Sequence, residues 1–299
     1  MAELGDQDVV TQAKRLLADP IKRIELDDFV SEHVRQFLVL TTLQAFPVQG
    51  AAPTKDDIAT RVARYETLAA DLQNILVLMA KWATVDQICV LEGAFIQLAE
   101  SNKGDAGLTI WLSLGWYPAL HLMYSAGIAA LASKNYPALA TVLTASVEVD
   151  VAQYPGRVRT IAAAVTDKIS GSGDPFKLLL GSENKYAPRS EHLLEVLRPR
   201  LELLLHIGSR YESLFDKFEV LLALVHAETS ASGWVPAGRF AWKHRHNLEG
   251  SPIARLVNEA TQESDKWGPL QAGMFAGSIE KFAKAVKVVE EHVQKLGWF

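Results

Sequence analysis

The segment 238–247, GRFAWKHRHN, concentrates side chains that could bind or react. Arg239, Lys243 and Arg245 are cations, and Trp242 lies among them in a chain of net charge −5. Guanidinium groups bind carboxylates and phosphates through paired hydrogen bonds, and an indole ring offers a stacking face. We interpret the segment as a loop opened by a glycine. Its cations and tryptophan predict a binding surface for a small anionic ligand or an acidic patch on a protein partner.

The same segment also has a purely structural interpretation. Phe240 and Trp242 would pack the loop onto its own core, and the cations would be solvated or paired with nearby acids. His244 and His246 form an H-x-H pair, but metal sites need three or four ligands in fixed geometry. No neighbouring Cys, Asp or Glu completes such a set. We therefore expect neither a metal nor another cofactor.

Short motifs of common catalytic sites are missing from the sequence. It contains no GxxxxGK[ST], GxGxxG, HExxH or GxSxG, and no pair of cysteines. The acids between 25 and 32 suit the positive end of a helix better than acid–base chemistry. We predict no catalytic residue. Because catalytic triads can assemble from distant residues, a hydrolase-type enzyme with a site near 239–246 stays an alternative.

The composition predicts a globular protein of one large unit or two closely packed units. The chain has 299 residues, of which 49% are hydrophobic and 22% charged, and its pI is about 5.9. The chain has no excess of basic residues, so we do not expect it to bind nucleic acid. Residues 1–10 are acidic rather than apolar, so no signal peptide is expected. The single cysteine, Cys89, is interpreted as a buried small hydrophobe, and we expect a cytoplasmic location.

One stretch, 107–133, contains no Asp, Glu, Lys or Arg and is long enough to cross a bilayer. However, Trp116, Tyr117 and Pro118 interrupt it near the middle, and His121 lies within it. These features favour a central pair of buried helices, and we expect no membrane partner. A membrane-associated helical protein using 107–133 is the less favoured alternative.

Hydrophobic periodicity predicts an all-α, compact multi-helix fold with at most one short strand. Apolar residues recur every three or four positions over 58–79, after a capping box at Thr54 and Asp57. The same period covers 211–225, after a second box at Ser209 and Glu212, and 279–296. The Ser251-Pro252 pair predicts a further helix start. Alternation over 147–151 indicates the one short strand or an extended connector.

Small residues near 120–144 predict a closely packed helical hairpin of the tetratricopeptide type, although no 34-residue repeat recurs. A flexible, helix-breaking run at 170–175, SGSGDP, is the most plausible internal boundary. It divides the chain into an N-terminal helical part, 1–170, and a C-terminal part, 171–299. We expect the two parts to form one continuous compact unit.

Six segments carry a resemblance to a known family: 17–30, 116–120, 124–136, 211–219, 238–242 and 267–278. They resemble a helical region of bacterial multidomain proteins that follows TIR-like or sirtuin-like effector domains and is associated with antiviral defence. The resemblance implies a sensor or regulatory part that itself carries no catalytic residue. We expect no effector domain in this chain, which leaves a separately encoded subunit or an excised regulatory region as alternatives.

The function best supported by the sequence is therefore a non-enzymatic sensor, adaptor or regulatory subunit. It would bind a protein partner, such as a separately encoded effector, or a small anionic ligand. The predicted binding residues are Arg239, Trp242, Lys243 and Arg245.

Overall fold

The computed structural model describes residues 2–101, 103–149, 156–170, 174–179, 181–182, 184–230 and 233–297. Helices dominate these residues, so the predicted all-α class is confirmed. The helices are α1 Ala2–Leu17, α2 Arg23–Leu40, α3 Lys55–Leu68, α4 Ala70–Trp82, α5 Ile88–Glu100, α6 Thr109–Leu114, α7 Tyr117–Ser133, α8 Tyr136–Thr144, α9 Ile161–Ser170, α10 Pro188–Leu205, α11 Tyr211–Thr229, α12 Arg239–His246, α13 Pro252–Glu263, α14 Gly268–Gln271 and α15 Ile279–Lys295.

Helix α7 lies at the centre of the fold and is buried on nearly every side. It packs against α4, α8, α10 and α11, which explains why its sequence is apolar all round. Gly127 allows α11 to approach closely, since a Cβ atom there would lie 1.9 Å from the ring of Phe218. The prediction of a buried helix pair in 107–133 is confirmed, with α6 ending at Leu114 and α7 beginning at Tyr117. Within the described ranges, no helix has both the length and the apolar character needed to cross a membrane.

The predicted helical hairpin is formed by α7 and α8. Lys134 ends α7 in the left-handed region, with φ of 57°. The side chain of Asn135 then accepts a hydrogen bond from the backbone N–H of Ala138 at 3.3 Å and begins α8. A two-residue connection of this kind places the helices side by side, as the small residues indicated.

Helix starts were predicted with mixed success. The capping box of Thr54 and Asp57 is present, and Ser251 caps α13. The helix predicted over 58–79 is wrong in its continuity, because the chain leaves helical geometry at Ala69, where ψ is −6°, and divides into α3 and α4. The second capping box is also wrong. Ser209 lies in a short 3-10 helix, and α11 begins at Tyr211 without a side-chain cap.

Two short strands pair at the edge of the helical core. β1, Ser146–Glu148, runs antiparallel to β2, Val158–Thr160, with Val147 opposite Arg159. The alternation over 147–151 therefore did indicate extended backbone, although residues 150 and 151 lie outside the described part of the chain. The strand β2 was not predicted, because three residues are too few to show a period.

Residues from both sides of position 170 share one hydrophobic core. Helices α7 and α9 pack against α11, which follows the predicted boundary. The division into 1–170 and 171–299 stays a prediction, and residues 171–173 lie outside the described part of the chain.

Candidate functional site

The segment predicted to be a cationic loop is instead the helix α12. Gly238 precedes it, and Phe240, Ala241 and His244 form its buried face. His244 is held in place because its Nδ1 lies 2.8 Å from the hydroxyl of Ser251. The loop interpretation was wrong. The helix has only eight residues, and the glycine before it and its two histidines obscure the apolar face that would have indicated a helix.

Two of the predicted binding cations neutralise a buried acid. Asp216 on α11 is 1% exposed, and Lys243 forms an ion pair with it. Arg239 lies 3.4 Å from the same carboxylate through Nε and 3.0 Å from Glu212 through Nη2. A buried carboxylate needs such partners, since an unpaired charge inside a protein is costly. Arg239 and Lys243 therefore have a structural task in addition to any binding role.

The four predicted residues do not face one common surface. Arg239 and Trp242 line a cavity of about 290 Å³ together with Tyr186 and Glu191. Arg245 does not line this cavity and instead donates a hydrogen bond to the carbonyl oxygen of Leu296 at 2.5 Å. Binding by Arg239, Trp242, Lys243 and Arg245 stays a prediction.

A second cavity, which we call the Glu219 cavity, shares Tyr186 with the first and has a volume of about 230 Å³. It lies where α7, the start of α10, α11, the segment 234–238 and α15 meet. Its polar character is unusual for the interior of a helical fold. The side chains considered below are Tyr124, Lys177, Arg189, Ser190, Glu219 and His292.

Glu219 is 2% exposed, and only part of its carboxyl group is satisfied. The hydroxyl of Tyr124 donates to Oε1 at 3.1 Å, whereas Oε2 has no hydrogen-bond partner. Burial raises the pKa of Glu219 to about 7; the neighbouring Ser190 hydroxyl opposes that rise, and the nearby charge of Asp216 adds to it. Gly238 is required beside this group, because a Cβ there would lie 2.2 Å from Oε1.

His292 brings a second unsatisfied atom to the same cavity. Its Nε2 is buried and has no hydrogen-bond partner. Burial lowers the pKa of His292, and a hydrogen bond with the backbone of Gly233 acts in the opposite direction. Unpartnered buried polar atoms are rare in folded proteins, so two in one cavity suggest a role beyond packing.

Two cations, the half-buried Arg189 and the exposed Lys177, line the Glu219 cavity together with a further acid, Asp174. Arg189 donates both Nη groups to the hydroxyl of Ser170 at 3.2 Å. In the described ranges, no acid lies within ion-pair distance of Arg189 or Lys177. The start of α10 adds positive potential, because Ala187 precedes it without a side-chain cap. The cavity can therefore hold an anionic group near Arg189 and a hydrogen-bond donor at Glu219.

Two other buried polar clusters each contain one unpartnered atom, whereas the Glu219 cavity contains two. Glu66 accepts hydrogen bonds from Tyr117 and His192, each at 2.6 Å, and joins α3, α7 and α10, but Nε2 of the adjacent His121 has no partner. Asp167 contacts His226 at 2.7 Å, and Nδ1 of His226 has no partner. Across the residues that the structure describes, no group of His, Cys, Asp and Glu is arranged to hold a metal ion.

The prediction of a buried Cys89 was wrong. Its side chain is exposed, and Sγ lies 3.4 Å from the carbonyl oxygen of Asp86. The buried face of α5 is formed by Val90, Leu91 and Ala94, so Cys89 falls on the outer face.

Glu219 and His292 were not predicted from the sequence. A usable signal existed for Glu219, because Asp216 and Glu219 lie beside Phe215 and Phe218 within the apolar stripe of α11. Acids on a buried face need partners or a function. His292 gave no such signal, since it directly follows two charged residues, the half-buried Glu290 and the exposed Glu291.

Comparisons of the chain with protein families, with curated proteins and with solved structures found no match.

Proposed function

We propose that this chain is a non-enzymatic sensor or adaptor that binds a small polar ligand in the Glu219 cavity. The ligand carries an acidic group and a hydroxyl, amine or amide donor. The observation that carries this proposal is the unpartnered Oε2 of Glu219, 2% exposed, in a cavity whose two cations have no carboxylate partner among the described residues.

Energetic considerations support a ligand at this place. A buried acceptor left without a donor costs about 1–3 kcal/mol, and a ligand that donates to it recovers this free energy. An acidic group near Arg189 would gain a charge-assisted hydrogen bond. The cavity of about 230 Å³ lies below the usual range for drug-sized ligands, which favours a small metabolite.

The position of the cavity suits signal transmission. A ligand there would contact α7, α10, α11 and α15 at once, and it would lie next to Gly238, which begins α12. Ligand binding can therefore stabilise the position of α12, whose residues Arg239, Trp242, Lys243 and Arg245 are the predicted contacts to a protein partner. A role in bacterial antiviral defence rests on the sequence resemblance, and deletion of the gene followed by phage challenge tests it.

A thermal-shift screen of the full chain tests the proposed ligand site. The probes are amino acids, hydroxy acids and sugar phosphates. A ligand present at 100 times its Kd raises the free energy of unfolding by about 2.7 kcal/mol. We expect Arg189→Gln and Glu219→Gln to abolish the shift, whereas Arg255→Gln, at an exposed position on α13, keeps it. A shift that survives both cavity substitutions contradicts the proposal.

The second candidate is an enzyme that uses Glu219 for proton transfer. It is favoured by one observation: a carboxyl group with a pKa of about 7 lies in the same cavity as His292. A general acid or base works best when its pKa lies near the working pH. Mass spectrometry of each bound probe after prolonged incubation separates the candidates. A sensor returns the probe unchanged, whereas an enzyme converts it and loses that conversion in Glu219→Gln.

A further inference from the structure

An apolar cavity of about 480 Å³ lies elsewhere in the fold, between the end of α2, the segment 41–48, the end of α5 and the start of α7. Its volume falls within the range of small-molecule sites. None of its lining residues belongs to the Glu219 cavity. Most of its wall is hydrocarbon or aromatic, formed by residues that include Phe37, Leu43, Phe46, Val48, Leu98 and Pro118.

Lys103 is the one charged side chain in the wall of this cavity among the described residues. Its Nζ lies within hydrogen-bond distance of four protein oxygens: the carbonyl oxygens of Leu98 at 2.7 Å, Ala99 at 3.2 Å and Ser101 at 3.1 Å, and the hydroxyl of Ser101 at 2.8 Å. It also lies 4.2 Å from the centre of the Trp116 ring. Burial lowers the pKa of Lys103 to about 7.

All these partners of Lys103 are uncharged. In the described part of the chain, no Asp or Glu lies within ion-pair distance of its Nζ. Lys103 is half-buried, and cations withdrawn from water are normally paired, because carbonyl dipoles replace only part of the lost hydration. The cavity therefore combines a large apolar wall with a cation that lacks a counter-ion.

We propose that this cavity binds a small amphipathic carboxylate. The hydrocarbon part of the ligand packs among the apolar side chains, and its carboxylate accepts a hydrogen bond from the Lys103 ammonium in place of one of the protein oxygens. Each buried methylene group adds affinity through the hydrophobic effect, and the charged pair gives selectivity for an acid over a neutral molecule. The proposal is independent of the ligand proposed for the Glu219 cavity.

Calorimetric titration of the full chain with octanoate and with 1-octanol tests this site. The two probes share a hydrocarbon chain and differ in the charged group. We expect octanoate to bind the wild-type chain more tightly than octanol. Lys103→Met is expected to weaken octanoate binding by about tenfold or more, the size typical of a lost charge-assisted hydrogen bond, and to leave octanol binding unchanged. Lys103→Arg keeps the cation and is expected to retain the preference.

A second variant tests the location without touching the lysine. Thr42 lines the cavity at an exposed position, so Thr42→Trp obstructs the cavity with little disturbance of the core. We expect it to weaken both probes, while circular dichroism and the melting temperature stay close to those of the wild type. Equal affinity for octanoate and octanol, or no binding of octanoate, overturns the proposal. So does a Lys103→Met chain that melts earlier yet binds octanoate normally, since Lys103 would then serve only to cap α5.

Discussion

Glu219 illustrates how burial turns a single side chain into a proton-binding group near neutral pH. Its pKa rises from an ordinary 4.5 to about 7 on folding. Between these values the folded chain holds a proton that the unfolded chain releases. Its contribution to the free energy of unfolding is therefore complete below pH 4.5 and falls as the pH rises through about 7.

The raised pKa predicts the behaviour of Glu219→Gln, which keeps the shape of the side chain and removes its titration. We expect the melting temperature of the variant, relative to the wild type, to increase from about pH 5 to about pH 8. Differential scanning calorimetry across that range provides the measurement. The matched control is Glu249→Gln, at an exposed position, which should show a constant difference. A difference for Glu219→Gln that is independent of pH would contradict the raised pKa.

Arg239 and Arg245 provide a second prediction at the scale of single residues. Arg239 pairs with the buried Asp216, whereas the exposed Arg245 donates to a backbone oxygen. We expect Arg239→Gln to lower the free energy of unfolding by about 1–3 kcal/mol, because it removes part of the compensation of a buried charge. Arg245→Gln should change it by about 0.5 kcal/mol or less, as surface substitutions usually do. Urea denaturation of both variants gives the comparison, and equal losses would refute it.

The close packing of α7 against α11 requires a residue without a side chain at position 127, which is Gly127. Gly127→Ala places a methyl group inside the ring of Phe218 and should destabilise the fold by about 1–3 kcal/mol through overpacking. Gly93, on α5, is the matched control, since a Cβ there meets nothing within 4 Å. Gly93→Ala should instead stabilise the helix by about 0.5–1 kcal/mol. Chemical denaturation of both variants tests the contrast, and a neutral Gly127→Ala would show that the helices can separate freely.

At the level of helices and strands, the sequence predicted the features that depend on residues close together in the chain. The capping box at Thr54, the start of α13 and the periodic face of α15 follow from interactions within a few residues. No such short-range pattern marked the break at Ala69 or the start of α11 at Tyr211. The Glu219 cavity could not be predicted from the sequence, because its walls come from parts of the chain far apart in sequence.

The whole molecule is organised around a core shared by residues on both sides of position 170. We expect helical circular dichroism and tryptophan fluorescence to report one coincident transition in urea, because α7 and α11 cannot lose contact without exposing both parts. Trp111 and Trp116 report on the first part, and Trp234 and Trp267 on the second. Two separated transitions would show that residues 1–170 and 171–299 unfold independently.

The central position of α7 has a consequence for protein synthesis. This apolar helix leaves the ribosome well before α10 and α11, which complete its burial. At about 5–20 residues per second, the roughly 100 residues up to the end of α11 take about 5–20 seconds to appear. During that interval α4 covers one side of the helix, and the nascent chain presents its remaining apolar surface to the cell. Its yield should therefore depend on chaperones that shield such segments, and slowing translation between α7 and α11 should increase the fraction that aggregates.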